Sequence, residues 1–253
     1  MRLAGHHALV TGAGSGIGAA IARGLGKEGA KLTLVGRRRE PLDEVAADCA
    51  DAFVASADVT DRAQVEQSFS SARKAQGPIT ILVNNAGAAE SSPFARLTDD
   101  GWRRMMAVNL DAAFHCCQAA LPDLLEAPSA RIVTIASTAA LRGYGYTAAY
   151  VAAKHGVLGL TRALAAEFAR SALTVNAVCP GFTDTDIVAS AVSNITAKTG
   201  RSEDETRESL ASFNPQGRLV TPGEVASAVV WLCLPESRSV NGQAISVSGG
   251  ETH

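Results

Sequence analysis

A serine, a tyrosine and a lysine lie within one eighteen-residue stretch, at a spacing suited to proton transfer. Tyr150 follows Ser137 by thirteen residues and precedes Lys154 by four. Four residues inside an alanine-rich run correspond to about one helical turn, so the phenol and the amine share a helix face. A phenol alone has a pKa of about 10, and a neighbouring ammonium group lowers it by stabilising the phenolate. We therefore predict an acid–base centre acting on a carbonyl oxygen, which the hydroxyl of Ser137 would hold.

Taken alone, a helical Tyr–Lys pair is also typical of a half-buried ring beside a solvated charge, so the other elements must decide. A glycine-rich turn near the start of the chain is the first of them. A short apolar strand at residues 7–10 leads into TGAGSGIG, residues 11–18, and apolar residues at helical spacing follow. Such a turn lets backbone N–H groups and a helix N-terminus approach a pyrophosphate, because no Cβ blocks the way. The strand, turn and helix together predict dinucleotide binding rather than a merely tight turn.

The end of the second predicted strand indicates which dinucleotide binds. An Asp or Glu about twenty residues past the glycines binds the ribose 2′-hydroxyl in NAD sites. Here Gly36 and then Arg37 occupy that place. A guanidinium group forms a charge-assisted hydrogen bond with a 2′-phosphate, worth about 1.5–3 kcal/mol. We predict NADP(H) over NAD(H), although the neutral Ser15 offers no second phosphate contact.

The rest of the chain alternates short, nearly continuous apolar runs with helical patterns, as expected for a parallel sheet that is buried on both faces. We predict an α/β fold in one domain, residues 1–253, with a Rossmann-type doubly wound parallel sheet and helices on both faces. The predicted strands are residues 7–10, 31–35, 52–59, 79–83, 131–135, 173–178 and 243–247. The predicted helices after the glycine turn include residues 41–49, 61–76, 99–125 and 224–234.

The segment 186–215 is polar and irregular, with a capped helix expected near residues 202–213. It follows the carboxyl end of a predicted strand, where ligands bind in such sheets. We therefore expect it to act as a mobile substrate lid.

Composition excludes several function classes. The 253 residues are 47% hydrophobic, which allows a sizeable core, and the net charge of −2 gives no general attraction to nucleic acid or anionic membranes. A nucleic-acid-binding role through Arg37–Arg39 conflicts with this net charge and lacks any accompanying aromatic or basic stripe. The absence of an apolar run of about eighteen residues predicts no membrane span and a cytoplasmic protein. The five scattered cysteines predict no metal site.

Several motifs occur in the order and spacing of one family. They are TGAGSGIG, the Asp58-Val59 pair, NNAG, Asn109 in VNL, Ser137 with YVAAK, and PGFTDT. On these motifs the chain resembles the short-chain dehydrogenase/reductase family from Leu3 to Gly250. The resemblance implies a sheet of about seven strands and a homotetramer built on the helices that contain Asn109 and Tyr150.

The resemblance also implies a catalytic tetrad of Asn109, Ser137, Tyr150 and Lys154. In it Tyr150 is the general acid or base, and Ser137 orients the carbonyl or alcohol. Lys154 lowers the tyrosine pKa and holds the nicotinamide ribose, while Asn109 supports a water that links Lys154 to solvent. The assigned cofactor residues are Gly12, Ser15, Gly16, Ile17, Gly18, Arg37, Asp58, Val59, Asn85, Ala86, Gly87, Tyr150, Lys154, Pro180, Gly181, Thr183 and Thr185.

The implied reaction interconverts a ketone and a secondary alcohol with NADP(H). The stretches NAVCPGF and GRLVTPGEVA look most similar to 3-oxoacyl-thioester and polyketide ketoreductases. Members that serve acyl carrier protein tend to have basic residues before the strand leading to the serine, whereas residues 125–130 here read LEAPSA. We therefore expect a 3-oxoacyl-CoA substrate, with a free cyclic, aryl or polyketide ketone as the alternative.

Two further alternatives stay open. A non-catalytic, nucleotide-binding regulatory member has the same fold, although the intact serine, tyrosine and lysine disfavour it. Tyr144, Tyr146 and Phe182 either line an apolar wall of the substrate site or are core aromatics.

Overall fold

The structure, a computed structural model, describes residues 1–252. A seven-stranded, all-parallel sheet in the order β3-β2-β1-β4-β5-β6-β7 forms its centre. This is the predicted doubly wound α/β fold. The strands are β1 His7–Thr11, β2 Lys31–Gly36, β3 Ala52–Ser56, β4 Ile81–Asn84, β5 Ala130–Ile135, β6 Leu173–Pro180 and β7 Ala244–Val247.

Helices cover both faces of the sheet, and each face has its own apolar core. The helices are α1 Gly16–Lys27, α2 Arg39–Ala47, α3 Arg62–Gln76, α4 Asp99–Met106, α5 Ala112–Glu126, α6 Ala148–Glu167, α7 Asp186–Thr199, α8 Glu203–Ala211 and α9 Pro222–Cys233. α1, α2 and α9 pack on one face, where Ile21, Leu42 and Val229 are buried. α3 and α5 pack on the other, around Phe69 and Leu124.

Local capping signals predict the helix ends well. Asp61 caps α3 by accepting hydrogen bonds from the backbone of Ala63 and Gln64, and Gly77 ends the helix. Ser202 and Glu205 form a capping box at the start of α8, which is the capped helix expected there. Such boxes satisfy N–H groups that the first helical turn leaves without partners.

Two element predictions are wrong in detail. The helix predicted over residues 99–125 is interrupted, since Ala107–Asp111 forms a π-helical segment between α4 and α5. The segment 186–215 is not irregular, because α7 and α8 occupy most of it and pack around Val188, Val192 and Leu210.

The topology fixes where the functional residues meet. β1 lies between β2 and β4, so the chain reverses its winding direction at β1. Ligands of doubly wound sheets bind at such a switch point, outside the carboxyl ends of the strands. The glycine turn follows β1, NNAG spans the end of β4, and Ser137 comes two residues after β5.

Two features are absent from residues 1–252. Their helices include none with the length and apolar character needed to span a membrane. They contain no cluster of three or more His, Cys, Asp or Glu side chains that could hold a metal ion.

Candidate active site

The glycine turn between β1 and α1 is shaped by positions that exclude side chains. Gly12 and Gly16 have φ angles of 64° and 52°, in the left-handed region that favours glycine. A Cβ at Gly18 would lie 2.2 Å from the carbonyl oxygen of Gly12 and 2.5 Å from Nδ2 of Asn85. Ser15 precedes the first turn of α1 in an extended conformation. The turn therefore presents bare backbone at a helix N-terminus, a geometry that fits a pyrophosphate.

Asn85 stabilises this turn through its side chain. Its Nδ2 donates to the carbonyl oxygens of Thr11 and Gly12 at 2.9 and 3.1 Å. The hydroxyl of Thr11 accepts from the backbone N–H groups of Asn85 and Ala86, both at 3.0 Å. The side chain of Asn85, assigned to cofactor binding from the sequence, is thus engaged in joining the ends of β1 and β4.

The structure brings Ser137, Tyr150 and Lys154 together. Ser137 Oγ accepts a hydrogen bond from the backbone N–H of Ala139 at 3.1 Å, and its hydroxyl lies within hydrogen-bonding reach of the Tyr150 phenol. Nζ of Lys154 lies 5.6 Å from the centre of the Tyr150 ring, one helical turn away on α6. Lys154 is 5% exposed, and its Nζ donates to the carbonyl oxygen of Ile135 at 2.9 Å.

The pKa values of this pair differ from the prediction. Burial raises the pKa of the Tyr150 phenol, and the hydroxyl of Ser137 only partly opposes this. Burial also lowers the pKa of Lys154, to about 8. The net direction expected for the phenol pKa is therefore wrong in this structure, because desolvation of the phenolate outweighs the stabilisation it receives and the Ile135 carbonyl engages the amine.

Asn109 lies in the π-helical segment and fastens it to the loop after β4. Its Nδ2 donates to the carbonyl oxygens of Ala88 and Met105 at 2.9 and 3.0 Å, and its Oδ1 accepts from the N–H of Ala88 at 3.3 Å. A Cβ at Gly87 would lie 2.9 Å from Oδ1 of Asn109 and 3.6 Å from Nζ of Lys154. The loop after β4 thus lies against both side chains. π-Helical segments of this kind occur frequently at functional sites.

A small cavity of about 10 Å³ adjoins Lys154. It is lined by Thr11, Asn84, Asn109 and Lys154, among other residues. This is about the volume that one water molecule needs. Oδ1 of Asn84 is buried and has no hydrogen-bond partner among residues 1–252. Polar groups of this kind are usually satisfied by ordered water.

The adenosine end of the expected site lies at the ends of β2 and β3. Arg37 is exposed directly after β2, whereas Arg39 forms an ion pair with Asp43 at 3.2 Å. Oδ1 of Asp58 accepts two hydrogen bonds from Thr60, at 2.9 and 2.7 Å. The following Val59 is 7% exposed and also lines the cavity behind Lys154.

The segment PGFTDT leaves β6 and returns to the glycine turn. Gly181 continues the sheet hydrogen bonding through its N–H to the Val247 carbonyl oxygen at 3.0 Å. Thr183 donates to Gly181 O at 3.0 Å, and Thr185 donates to Thr183 O at 3.2 Å. A Cβ at Gly16 would lie 3.1 Å from Cγ2 of Thr185. The loop assigned to the pyrophosphate and the loop assigned to the nicotinamide therefore touch.

The sequence singled out Tyr144 and Phe182 as possible substrate-site residues, but it did not single out Glu251 or Phe213, which contact them. The phenol of Tyr144 donates to the carboxylate of Glu251, and its oxygen lies 2.7 Å from Oγ1 of Thr138. Phe182 and Phe213 pack against the Tyr144 ring. No local signal could have identified Glu251, because it is 107 residues from Tyr144.

Tyr146 has a different role from its aromatic neighbours. It is 71% exposed and is the only non-glycine residue with a positive φ, 66°, among residues 1–252. Its carbonyl oxygen accepts from the N–H of Ser92 at 2.8 Å. Tyr146 thus ties the loop after β4 to the loop before α6 through its backbone, and its ring is not part of the core.

Known proteins resemble this chain in sequence over most of its length. A family profile described as short chain dehydrogenase matches residues 6–196. A putative ketoacyl reductase of Streptomyces coelicolor is 39% identical over 96% of this chain and 95% of its own length. A 3-oxoacyl-[acyl-carrier-protein] reductase of Vibrio harveyi is 35% identical over 99% of this chain and 98% of its own length.

A solved structure shows the same fold over almost the whole chain. It is the crystal structure of a single-residue variant of actinorhodin polyketide ketoreductase with NADPH. The TM-score is 0.93, the sequence identity is 38%, and 97% of each chain is covered.

Proposed function

The chain belongs to the short-chain dehydrogenase family of oxidoreductases, and from this premise we propose that it reduces a ketone to a secondary alcohol with NADPH, in a reversible reaction. One observation carries the proposal. Ser137, Tyr150 and Lys154 converge at the carboxyl end of the sheet, on the same edge as the bare glycine turn. Ketone reduction requires a proton donor close to a dinucleotide-binding turn, and here both lie at the carboxyl ends of the strands.

The protein groups orient the ketone and supply its proton. Bound NADPH supplies the hydride that the carbonyl carbon accepts. The hydroxyl of Ser137 donates a hydrogen bond to the carbonyl oxygen and fixes its position. The phenol of Tyr150, kept protonated at neutral pH by its raised pKa, donates its proton to that oxygen as negative charge develops. Positioned acid catalysis of this kind contributes about 10²- to 10⁴-fold.

Lys154 and Asn109 support the phenol after it has lost its proton. The ammonium of Lys154, 5.6 Å from the ring, stabilises the phenolate by its charge. Asn109 holds the π-helical segment and the loop after β4 against the amine. The cavity shared by Asn84, Asn109 and Lys154 supports the proposal that water links the amine to solvent.

Preference for NADPH over NADH is supported by the second strand. Arg37 is exposed at the end of β2, where an NAD site would have a carboxylate. The solved relative described above is a complex with NADPH, which agrees with this assignment. We assign the 2′-phosphate contact to Arg37.

Two substrate classes remain. A 3-oxoacyl-CoA is supported by the exposed guanidinium of Arg142, 5.1 Å from the centre of the Tyr144 ring, which offers a positive charge near the site. A cyclic or aryl ketone is supported by the three aromatic rings of Tyr144, Phe182 and Phe213. α7 and α8, which lead to Phe213, are the proposed lid.

We also propose that the protein is a homotetramer that uses the surface of α4, α5 and α6. Trp102 and Phe114, at 39% and 40% exposure, are large apolar side chains on α4 and α5. Burial between subunits would remove them from water.

The proposal is tested by following NADPH absorbance with acetoacetyl-CoA, longer 3-oxoacyl-CoA esters, and cyclic or aryl ketones. We expect oxidation of NADPH with at least one ketone. We also expect a kcat/KM with NADPH about tenfold or more above that with NADH, from the charge-assisted hydrogen bond of Arg37. In Arg37→Ala the two coenzymes should become similar. Equal use of both by the wild-type protein would refute the assignment of Arg37.

A further inference from the structure

Glu251 is a buried carboxylate close to the acid–base centre. It is 8% exposed, and its Oε2 has no hydrogen-bond partner among residues 1–252. Its Oε1 accepts a hydrogen bond from the phenol of Tyr144. Buried carboxylates are rare because desolvation is costly. A carboxylate kept in this place therefore calls for a reason.

Tyr144, the partner of Glu251, lies between Ser137 and Tyr150 in the sequence. Tyr144 is on the loop that joins Ser137 to the helix of Tyr150, and its oxygen lies 2.7 Å from Oγ1 of Thr138. Burial and the Glu251 carboxylate raise the pKa of the Tyr144 phenol, so it stays protonated and donates to the carboxylate. The contacts with Glu251 and Thr138 hold the phenol from two sides.

The ring of Tyr144 is one of three aromatic rings at this place. Its centroid lies 6.2 Å from that of Phe182 and 5.9 Å from that of Phe213, with interplanar angles of 84° and 60°. Phe182 and Phe213 lie 5.2 Å apart. The rings come from the loop after β5, the loop after β6 and the segment just after α8. They form one aromatic wall on the substrate side.

The C-terminal segment that carries Glu251 packs against the two segments that contain Phe182 and Phe213. Gly249 has a φ of 64°, and a Cβ there would lie 1.9 Å from Oδ1 of Asn214, just after Phe213. A Cβ at Gly181, just before Phe182, would lie 3.0 Å from Oε2 of Glu251. The segment is thus held by the two loops that supply the phenylalanines, so its carboxylate has a fixed position.

We propose that Glu251 is a positioning residue for substrate selection. It holds the phenol of Tyr144, so that the rings of Tyr144, Phe182 and Phe213 form a rigid wall that favours ketones on planar or cyclic ring systems over linear 3-oxoacyl chains. Fixed aromatic rings give a flat substrate offset and edge-to-face contacts that a flexible chain cannot make as well. This inference rests on the proposed ketone reduction.

The test compares α-tetralone, a bicyclic aryl ketone, with acetoacetyl-CoA, each reduced with NADPH. Glu251→Ala removes the acceptor, and Tyr144→Phe removes the donor while keeping the ring. Each should raise the KM for α-tetralone about five- to tenfold, the effect of one lost hydrogen bond. The KM for acetoacetyl-CoA should rise by no more than about twofold, and NADPH affinity, from fluorescence titration, should stay the same.

Three further variants separate positioning from general structural damage. The double variant should lose no more than either single variant, because both remove the same hydrogen bond. Glu251→Gln keeps an acceptor and should recover most of the affinity for α-tetralone. Glu66→Ala changes an exposed glutamate on α3 and should match the wild-type protein.

The contrary outcomes are distinct. Additive losses in the double variant, or equal increases in KM for both ketones, would overturn the role of Glu251. If Glu251→Ala does not fold, Tyr144→Phe and Glu251→Gln decide by the same criteria. A wild-type protein that reduces acetoacetyl-CoA but not α-tetralone overturns this inference alone, whereas one that reduces neither, nor any other ketone, overturns the proposed function as well.

Discussion

At the scale of single residues, the charge of Lys154 is the property of the site that is most sensitive to pH. A primary amine that is 5% exposed pays a desolvation cost when it is charged, and this lowers its pKa to about 8. The phenol beside it has a raised pKa, since burial disfavours the phenolate as well. Ketone reduction needs a protonated phenol and a charged amine, and near neutral pH the site provides both.

We therefore predict that kcat/KM for ketone reduction falls as the pH rises through about 8. Loss of the Lys154 charge removes the group that stabilises the phenolate, and kcat/KM reports the free enzyme. The measurement is a pH–rate profile between pH 6 and 10. Lys154→Arg, which stays charged, should shift this decline to higher pH in whatever activity it retains.

The same titration has the opposite effect on stability. The unfolded chain keeps this proton up to about pH 10.5, whereas the folded chain releases it near pH 8. The unfolded state thus binds more protons between these values, and the contribution of Lys154 to stability increases with pH. A decline in activity that merely followed unfolding over this interval, seen by circular dichroism, would contradict the assignment to Lys154.

At the scale of elements, the glycine turn and the π-helical segment position the site. Asn85 ties the turn to β4, and Asn109 ties the π-helical segment to the same loop system. The two asparagines therefore hold the glycine turn and the π-helical segment in place relative to the central strands. Close packing of backbone against backbone leaves this arrangement little freedom.

Gly18→Ala should weaken NADPH binding by about tenfold or more. The new methyl group would lie 2.2 Å from the carbonyl oxygen of Gly12, which is backbone and can move only with the turn. A displaced turn loses N–H contacts to the pyrophosphate, each worth about 0.5–1.5 kcal/mol. Fluorescence titration of NADPH gives the affinity.

Gly223→Ala in the first turn of α9 is the matched control. Its Cβ would meet Oγ1 of Thr221 at 3.9 Å, an ordinary contact, so the affinity should not change. If Gly18→Ala also kept wild-type affinity, the turn would not be the pyrophosphate site.

At the scale of the whole molecule, the features encoded by local sequence were predictable. Helical spacing placed Tyr150 and Lys154 on one helix face, and the alternation of apolar runs predicted the parallel sheet. The capped helix near residues 202–213 was predictable because its capping box, formed by Ser202 and Glu205, involves residues only three positions apart. Each of these depends on short-range geometry.

Features that depend on distant contacts were not predictable. The π-helical segment is held by Asn109 reaching back to Ala88, 21 residues earlier. The partnership of Tyr144 and Glu251 spans 107 residues. The raised pKa of Tyr150 comes from burial, which exists only once the chain has folded. Sequence spacing alone suggested the opposite direction for that pKa.

The most direct test of the central claim is Tyr150→Phe, which removes one hydroxyl and keeps the ring. The account predicts that ketone-dependent NADPH oxidation falls by about 10²-fold or more, since the proton donor is lost. NADPH should still raise the thermal unfolding temperature as in the wild-type protein, because the glycine turn is intact. A variant that retains wild-type turnover while binding NADPH would contradict the claim that this phenol carries the proton.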